Sequence, residues 1–171
     1  YARLVVNPQD EAAFRRAINV PARGIGKSSV AKIEAQASLL EDSLMCGAES
    51  LRAQRALRGK ARAGLEAFCE ALECARLSEE TASATLLQLY RAVGLLSEGS
   101  LVARDGDKDR ERAENIHELL ADIQAWEREA QAPSLEAYLQ QVKLISDTET
   151  EAGDEGAVAL MTVHASKGLE F

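Results

Sequence analysis

The sequence predicts an all-α fold, an irregular helical bundle, with one short strand-like segment near its C-terminus. Three observations carry that expectation. Hydrophobic residues make up 46% of the 171, but aromatics only 4%, so the core must be built mostly from Ala, Leu, Val and Ile. The chain is rich in alanine and has only three prolines, a balance that favours helix over sheet. Apolar residues recur at helical spacing along most of the chain, and the period changes to a short, nearly all-apolar run at 157–163.

The elements follow in order. Tyr1–Val6 is an apolar stretch, and Asn7-Pro8-Gln9-Asp10 reads as a turn in which Asp10 caps a helix over 10–19. Ala13, Phe14, Ala17 and Ile18 form its inward stripe. Val20 to Gly26 breaks the pattern, and Lys27 or Ser28 opens a helix to about Leu39 with Val30, Ile33 and Ala37 inward. A short turn-and-helix piece covers Glu41–Gly47.

A strong helix spans about 60–77, facing inward through Leu65, Phe68, Cys69, Leu72 and Ala75. In that stripe Cys69 is a small core residue, because no paired base accompanies it. Thr81–Val93 gives another helix, with Leu86, Leu89, Tyr90 and Val93 inward. Leu95–Ala103 reads as a short helix, and Arg104 to Asp107 as a turn too short for a calcium loop. The longest helix, 109–130, turns Ile116, Leu119, Leu120, Ile123 and Trp126 inward and leaves His117 at the surface. Pro133-Ser134 starts a last helix to about Ser146. Asp147–Gly156 holds five acids and two glycines and reads as a solvated linker. The run Ala157–Val163 then reads as a buried strand of a parallel sheet, for which the chain supplies no partner strands.

Charge is unevenly placed. The formal net charge is −8, yet residues 1–63 hold 11 Lys/Arg against 6 Asp/Glu, and residues 64–171 hold 9 against 22. The acidic total argues against a protein that coats nucleic acid on every face, while the N-terminal third retains a net charge of +5. No apolar run reaches the roughly 18 residues of a membrane span. No leader pattern opens the chain, and both ends read as cut from a larger protein. Three cysteines without a C-x-x-C pair are expected as reduced thiols of a cytoplasmic protein.

The densest chemistry lies at Arg23-Gly24-Ile25-Gly26-Lys27-Ser28. Gly-Lys-Ser suggests a phosphate loop, but that pattern needs a glycine where Pro21 stands and a strand upstream. Helix, proline, Gly-x-Gly turn and helix is instead the layout of a helix–hairpin–helix. Its glycines allow positive φ and close approach of a ligand, and the second helix presents free N–H groups to an anion. Arg23 and Lys27 flank the turn, so a nucleic-acid phosphate is the natural ligand, read without sequence information. A plain αα turn that binds nothing is the competing reading. Two histidines are too few and too far apart for a metal site. No Ser-His-Asp set or acid–base pair is assembled.

The stretch Leu160-Met161-Thr162-Val163-His164-Ala165-Ser166-Lys167-Gly168-Leu169-Glu170-Phe171 closely resembles motif V of the UvrD/PcrA/Rep group of superfamily 1 DNA helicases. Tyr1–Pro8 followed by Ala17–Gly26 resembles that family's lead into its accessory subdomain 2B. Arg112-Ala113-Glu114-Asn115 resembles the subdomain's Arg-x-Glu-Asn helix, and Leu144–Asp147 the stretch before its acidic linker. Residues 38–105 are generic.

The resemblance implies an ATP-driven motor that translocates 3′ to 5′ on single-stranded DNA and acts in repair, replication or recombination. Residues 1–156 would be its α-helical 2B insertion, which contacts duplex DNA and regulates unwinding. Residues 157–171 would begin the returning RecA-like subdomain 2A. DNA contacts are expected at Arg23, Gly24, Ile25, Gly26, Lys27 and Ser28 on the duplex, and at Thr162 and His164 along the single strand. Lys167, Gly168 and Glu170 would lie near the nucleotide. Walker A, Walker B and the arginine finger are missing, so ATP and Mg²⁺ belong to the parent protein, the chain itself being expected to bind no metal and hydrolyse nothing. DNA is the expected partner, with repair or replication proteins besides and no membrane. The alternative is a helical protein-interaction module without DNA contact.

Overall fold

A computed structural model of the chain describes residues 1–96 and 107–151, without the side chains of 107–109 and 144–151. Among the described residues there are eight helices and no strand. They are α1 (Ala2–Val6), α2 (Glu11–Ala17), α3 (Lys27–Leu40), α4 (Leu44–Ala53), α5 (Gly59–Arg76), α6 (Ala82–Ala92), α7 (Asp107–Glu129) and α8 (Leu135–Glu151). The chain divides into two compact units, Tyr1–Leu139 and Gln140–Phe171. The described part of the second is helical backbone to Glu151, with Val142 exposed. The strand-like segment 157–163 lies outside the described residues, as does 97–103 of the short helix expected after Gly94.

Short polar side chains begin four of the helices, Asp10, Thr81 and Ser134 where the sequence places them and Ser43 inside a stretch read only as a turn-and-helix piece. Asp10 accepts from the Ala13 N–H at 2.9 Å, Ser43 from Cys46 at 3.2 Å, Thr81 from Ala84 at 3.3 Å and Ser134 from Ala137 at 3.1 Å. Each satisfies one of the first-turn donors that a helix leaves without a partner.

The expected stripe of α5 is the centre of the first unit. Leu65, Phe68, Cys69 and Leu72 are at most 1% exposed, and α1, α4 and α6 all pack on this helix. Burial pushes the Cys69 thiol up to about 12, the behaviour of a packed residue rather than a nucleophile. The Phe14 ring meets Phe68 edge-on at 5.7 Å. Helix α3 packs on α4 through Gly47, where a Cβ would stand 2.7 Å from the Ile33 carbonyl oxygen. Only the absence of a side chain permits that approach.

Helix α7 covers α6 through Ala113, Leu120 and Ile123, with Ile116 and Trp126 half-buried. Its Glu127 carboxylate caps α6 from outside, accepting from the Ser83 N–H at 2.8 Å and the Ser83 hydroxyl at 2.7 Å. The Tyr138 hydroxyl donates to Asp122 at 2.7 Å, beside a T-shaped contact with Trp126.

Three expectations are corrected, and one segment that the sequence left unassigned gains a helix. Leu119 is 38% exposed, because the buried stripe of α7 runs through 113, 120 and 123 and leaves 119 at its margin. Helix α8 continues to Glu151, so the first five residues read as acidic linker are helical, while 152–156 lie outside the described residues. Tyr1 caps a one-turn helix, α1, whose Leu4 is fully buried. The piece read as Glu41–Gly47 is the ten-residue helix α4, opened by Ser43.

Candidate nucleic-acid interface

The turn between α2 and α3 is built from the core outward. Ile25 is 2% exposed and belongs to the core, so its side chain anchors the turn and offers a ligand only its backbone. Gly24 has φ +72°, the left-handed region, and a Cβ on it would stand 3.0 Å from the Lys60 Cβ. Glycine is therefore required there on two counts. Gly26 differs. It is extended, at φ −78° and ψ 177°, and caps α3 with its carbonyl, which accepts from Ser29 and Val30 at 2.9 and 3.1 Å. A Cβ on Gly26 would meet nothing within 4 Å. Positive φ, read from the sequence for the turn's glycines, thus holds for Gly24 alone.

Helix α3 has no side-chain cap and no acid in its first turn. Its leading N–H groups, those of Lys27 and Ser28 among them, face an open surface on which both residues are exposed. The partial positive charge of such an end favours an anion. Beside it, Arg15 of α2 pairs with Glu34 of α3, fixing the two helices across the groove that Asn19, Gly26 and Lys27 also line.

Arg23 stands elsewhere than its position beside the turn predicts. Its guanidinium turns inward, donating to the carbonyls of Ala17 (3.2 Å), Pro21 (3.0 Å) and Val93 (2.9 Å). It stands 5.7 Å from the centre of the Tyr1 ring and 5.6 Å from that of Phe68, within cation–π range of both. Its side chain is committed to the interior and is withdrawn from the outer face where Lys27 lies.

The structure adds a neighbour that sequence reasoning passed over. Residues 50–65 carry Arg52, Arg55, Arg58, Lys60 and Arg62 and no acid, and that run was the available signal. Gly24 sets Lys60, in the first turn of α5, against the turn. Helix α5, like α3, begins without a side-chain cap or an acid in its first turn. Arg52 pairs with Glu73 and Arg62 reaches Glu66 at 4.0 Å, whereas among the described residues Lys27, Arg55, Arg58 and Lys60 are exposed and enter no ion pair. The start of α5, with Lys60, thus adjoins the glycine turn that leads into α3. An anion held there meets backbone donors and mobile positive charge, which suits a phosphodiester chain.

Gly26-Lys27-Ser28 follows a helix and a proline-containing turn, so it is no phosphate loop of the strand–loop–helix kind. No group of three or more His, Cys, Asp and Glu among the described residues is placed to hold a metal ion. His117 is exposed on α7. Thr162, His164, Lys167, Gly168 and Glu170 lie outside the described residues. No helix among the described residues is long and apolar enough to cross a membrane.

The family model described as UvrD-like helicase C-terminal domain matches residues 1–171. The ATP-dependent DNA helicase PcrA of Bacillus subtilis is 32% identical over 186 residues, and DNA helicase II of Escherichia coli is 31% identical over 182. PcrA of Leuconostoc citreum is 31% identical over 179 residues. Each comparison covers all of this chain and 24% of the relative, so the chain spans about a quarter of the length of the curated relatives it matches.

Proposed function

The chain belongs to the UvrD-like helicase C-terminal domain family, and on that footing we propose that residues 1–156 are the duplex-contacting, regulatory subdomain of an ATP-dependent DNA helicase. Residues 157–171 lead back into its RecA-like domain. The parent unwinds DNA 3′ to 5′ in repair, replication or recombination, in the cytoplasm, where repair or replication proteins are its further partners. The observation that supports the reading best is the start of α3. It is opened by Gly26, lacks a side-chain cap and an acid, is anchored from below by Ile25 and is flanked by exposed Lys27 and Lys60.

Duplex DNA lies against this face through its phosphates. Backbone N–H groups of Lys27 and Ser28 fix one phosphate, and Lys27 and Lys60 neutralise its neighbours. Such contacts fix position and carry no base information. Thr162 and His164 line the single-stranded path, and Lys167, Gly168 and Glu170 approach the nucleotide. The described residues offer neither a phosphate loop nor a cluster of metal ligands. They do not fit Mg²⁺-ATP, and the chemistry of hydrolysis rests with other parts of the parent.

Fluorescence anisotropy with two unrelated duplexes over a salt series tests the reading. The chain should bind both alike, with a dissociation constant of roughly 10⁻⁴–10⁻⁶ M at physiological salt. Lys27→Ala and Lys60→Ala should each weaken both duplexes and lower the salt slope by about 0.9. Folded variants that bind as the parent chain does would leave the bundle as a protein-interaction module.

A further inference from the structure

Arg23 sits next to the glycine turn in sequence and turns away from the turn's outer surface in space. We infer that Arg23 is a positioning residue for DNA binding, holding the Gly24–Ser28 backbone in its binding geometry from the inside and touching no phosphate. The inference rests on the duplex-contact reading of that turn.

Three carbonyls receive the guanidinium, and they come from three places. Ala17 ends α2, Pro21 lies within the turn, and Val93 is the residue after α6. A planar fork divides them between two nitrogens, Nη1 on Ala17 and Pro21 and Nη2 on Val93, whereas an ammonium on a flexible stem would have to reach all three from one nitrogen. The two rings it faces belong to Tyr1 and to Phe68, in the core, and lie against each other at 6.1 Å. Tyr1 reinforces the joint, its one hydroxyl proton shared between the carbonyls of Ala17 at 2.9 Å and Val20 at 2.6 Å. The Arg23 N–H is bound as well, donating to the Asn19 side chain at 2.8 Å. From Ala17 to Arg23 the turn is therefore pinned through its carbonyls and the Arg23 N–H, and Gly24 follows directly on the last pinned residue. Backbone donors bind a phosphate only where they point together. A turn free to leave that geometry binds in proportion to the time it spends there.

The test compares Arg23→Lys, Arg23→Gln and Lys27→Ala in the whole chain, with circular dichroism and melting to establish that each is folded at the assay temperature. A fluorescein-labelled duplex is titrated over a salt series, and amide hydrogen exchange is read at Gly24–Ser28 and at Leu65–Leu72. The expected result is that Lys and Gln at position 23 weaken binding alike, by about tenfold if the binding geometry is populated a tenth of the time. The salt slope should be unchanged, and exchange should rise at 24–28 while 65–72 stay protected. Arg23→Lys binding near the parent level while Arg23→Gln loses affinity and about 0.9 of slope would show a direct phosphate contact and overturn the inference. Unchanged affinity in both variants would overturn it too. If Lys27→Ala also leaves binding and slope unchanged, the duplex-contact reading falls with it; if Lys27→Ala lowers both, that reading stands and only the role of Arg23 is lost.

Discussion

Gly64 lies against the backbone of Arg23 so closely that a Cβ on it would stand 2.3 Å from the Arg23 carbonyl oxygen and 2.8 Å from the Arg23 Cβ. The second turn of α5 is thus the floor under the glycine turn. A glycine within a helix ordinarily costs about 1 kcal/mol relative to alanine, so Gly64→Ala on helix propensity alone would stabilise. The atom in the way is backbone and cannot swing aside. Gly64→Ala should therefore destabilise by about 1–3 kcal/mol, the range of an overpacked core. Calorimetry should show a melting temperature lower by roughly 2–10 °C.

Gly24 and Gly26 should separate folding from binding. Gly24→Ala places a side chain at φ +72° and against Lys60, and the left-handed backbone alone should cost about 1–2 kcal/mol. Gly26 is extended with open space around it. Gly26→Val should cost about 0.5–1 kcal/mol, because glycine is favoured over valine at a helix N-cap, while its bulk blocks approach to the first turn of α3. Chemical denaturation read beside duplex anisotropy checks both halves: the first variant shifts the midpoint more, the second the binding curve more.

Phe68 and Leu119 were read from the sequence as equivalent core positions, and the structure makes them unequal. Phe68→Ala empties a fully buried site between Phe14 and Tyr1 and should cost about 3–5 kcal/mol. Leu119→Ala, at a 38% exposed position, should stay within about 0.5 kcal/mol. Urea titrations of the two variants give the comparison directly.

Asp10 should give the stability of the first unit an acid limb. The Ala13 N–H, and then Arg3, hold its carboxyl below the ordinary value of 3.8. A carboxyl lowered in the folded state contributes stability above its unfolded value, and that contribution fades as pH falls through the folded one. Asp10→Ala should cost about 1 kcal/mol at neutral pH, as for other helix caps. The gap between the two melting curves should close as the pH is brought below 3.8.

Helix identity was legible because the chain writes it locally. The stripe Leu65, Phe68, Cys69, Leu72 and Ala75 needed only the helical period, and all five are buried. Asp10 and Thr81 announced their helices by residue type, and both caps are made. The candidate interface was legible only in part. Gly24, Gly26 and Lys27 could be placed from the turn pattern, but the direction of Arg23 depends on Val93, 70 residues away. Lys60 depends on a glycine contact that no periodicity records. Leu119 failed for a smaller reason: a stripe on a long helix has margins, and composition alone does not say which side the neighbouring helix covers.

The cap that Glu127 places on Ser83 has a consequence for the order in which the chain assembles. The partners are 44 residues apart, so during synthesis α6 emerges from the ribosome with the Ser83 amide still held by water. Thr81 can close its own end of α6 at once, from within the same turn. The second closure waits until residue 127 has been made and α7 has come back across α6, and it bears the entropy of closing that loop. A chain that ends short of residue 127 therefore has α6 closed by Thr81 alone, and the seventh helix completes the seal on the sixth.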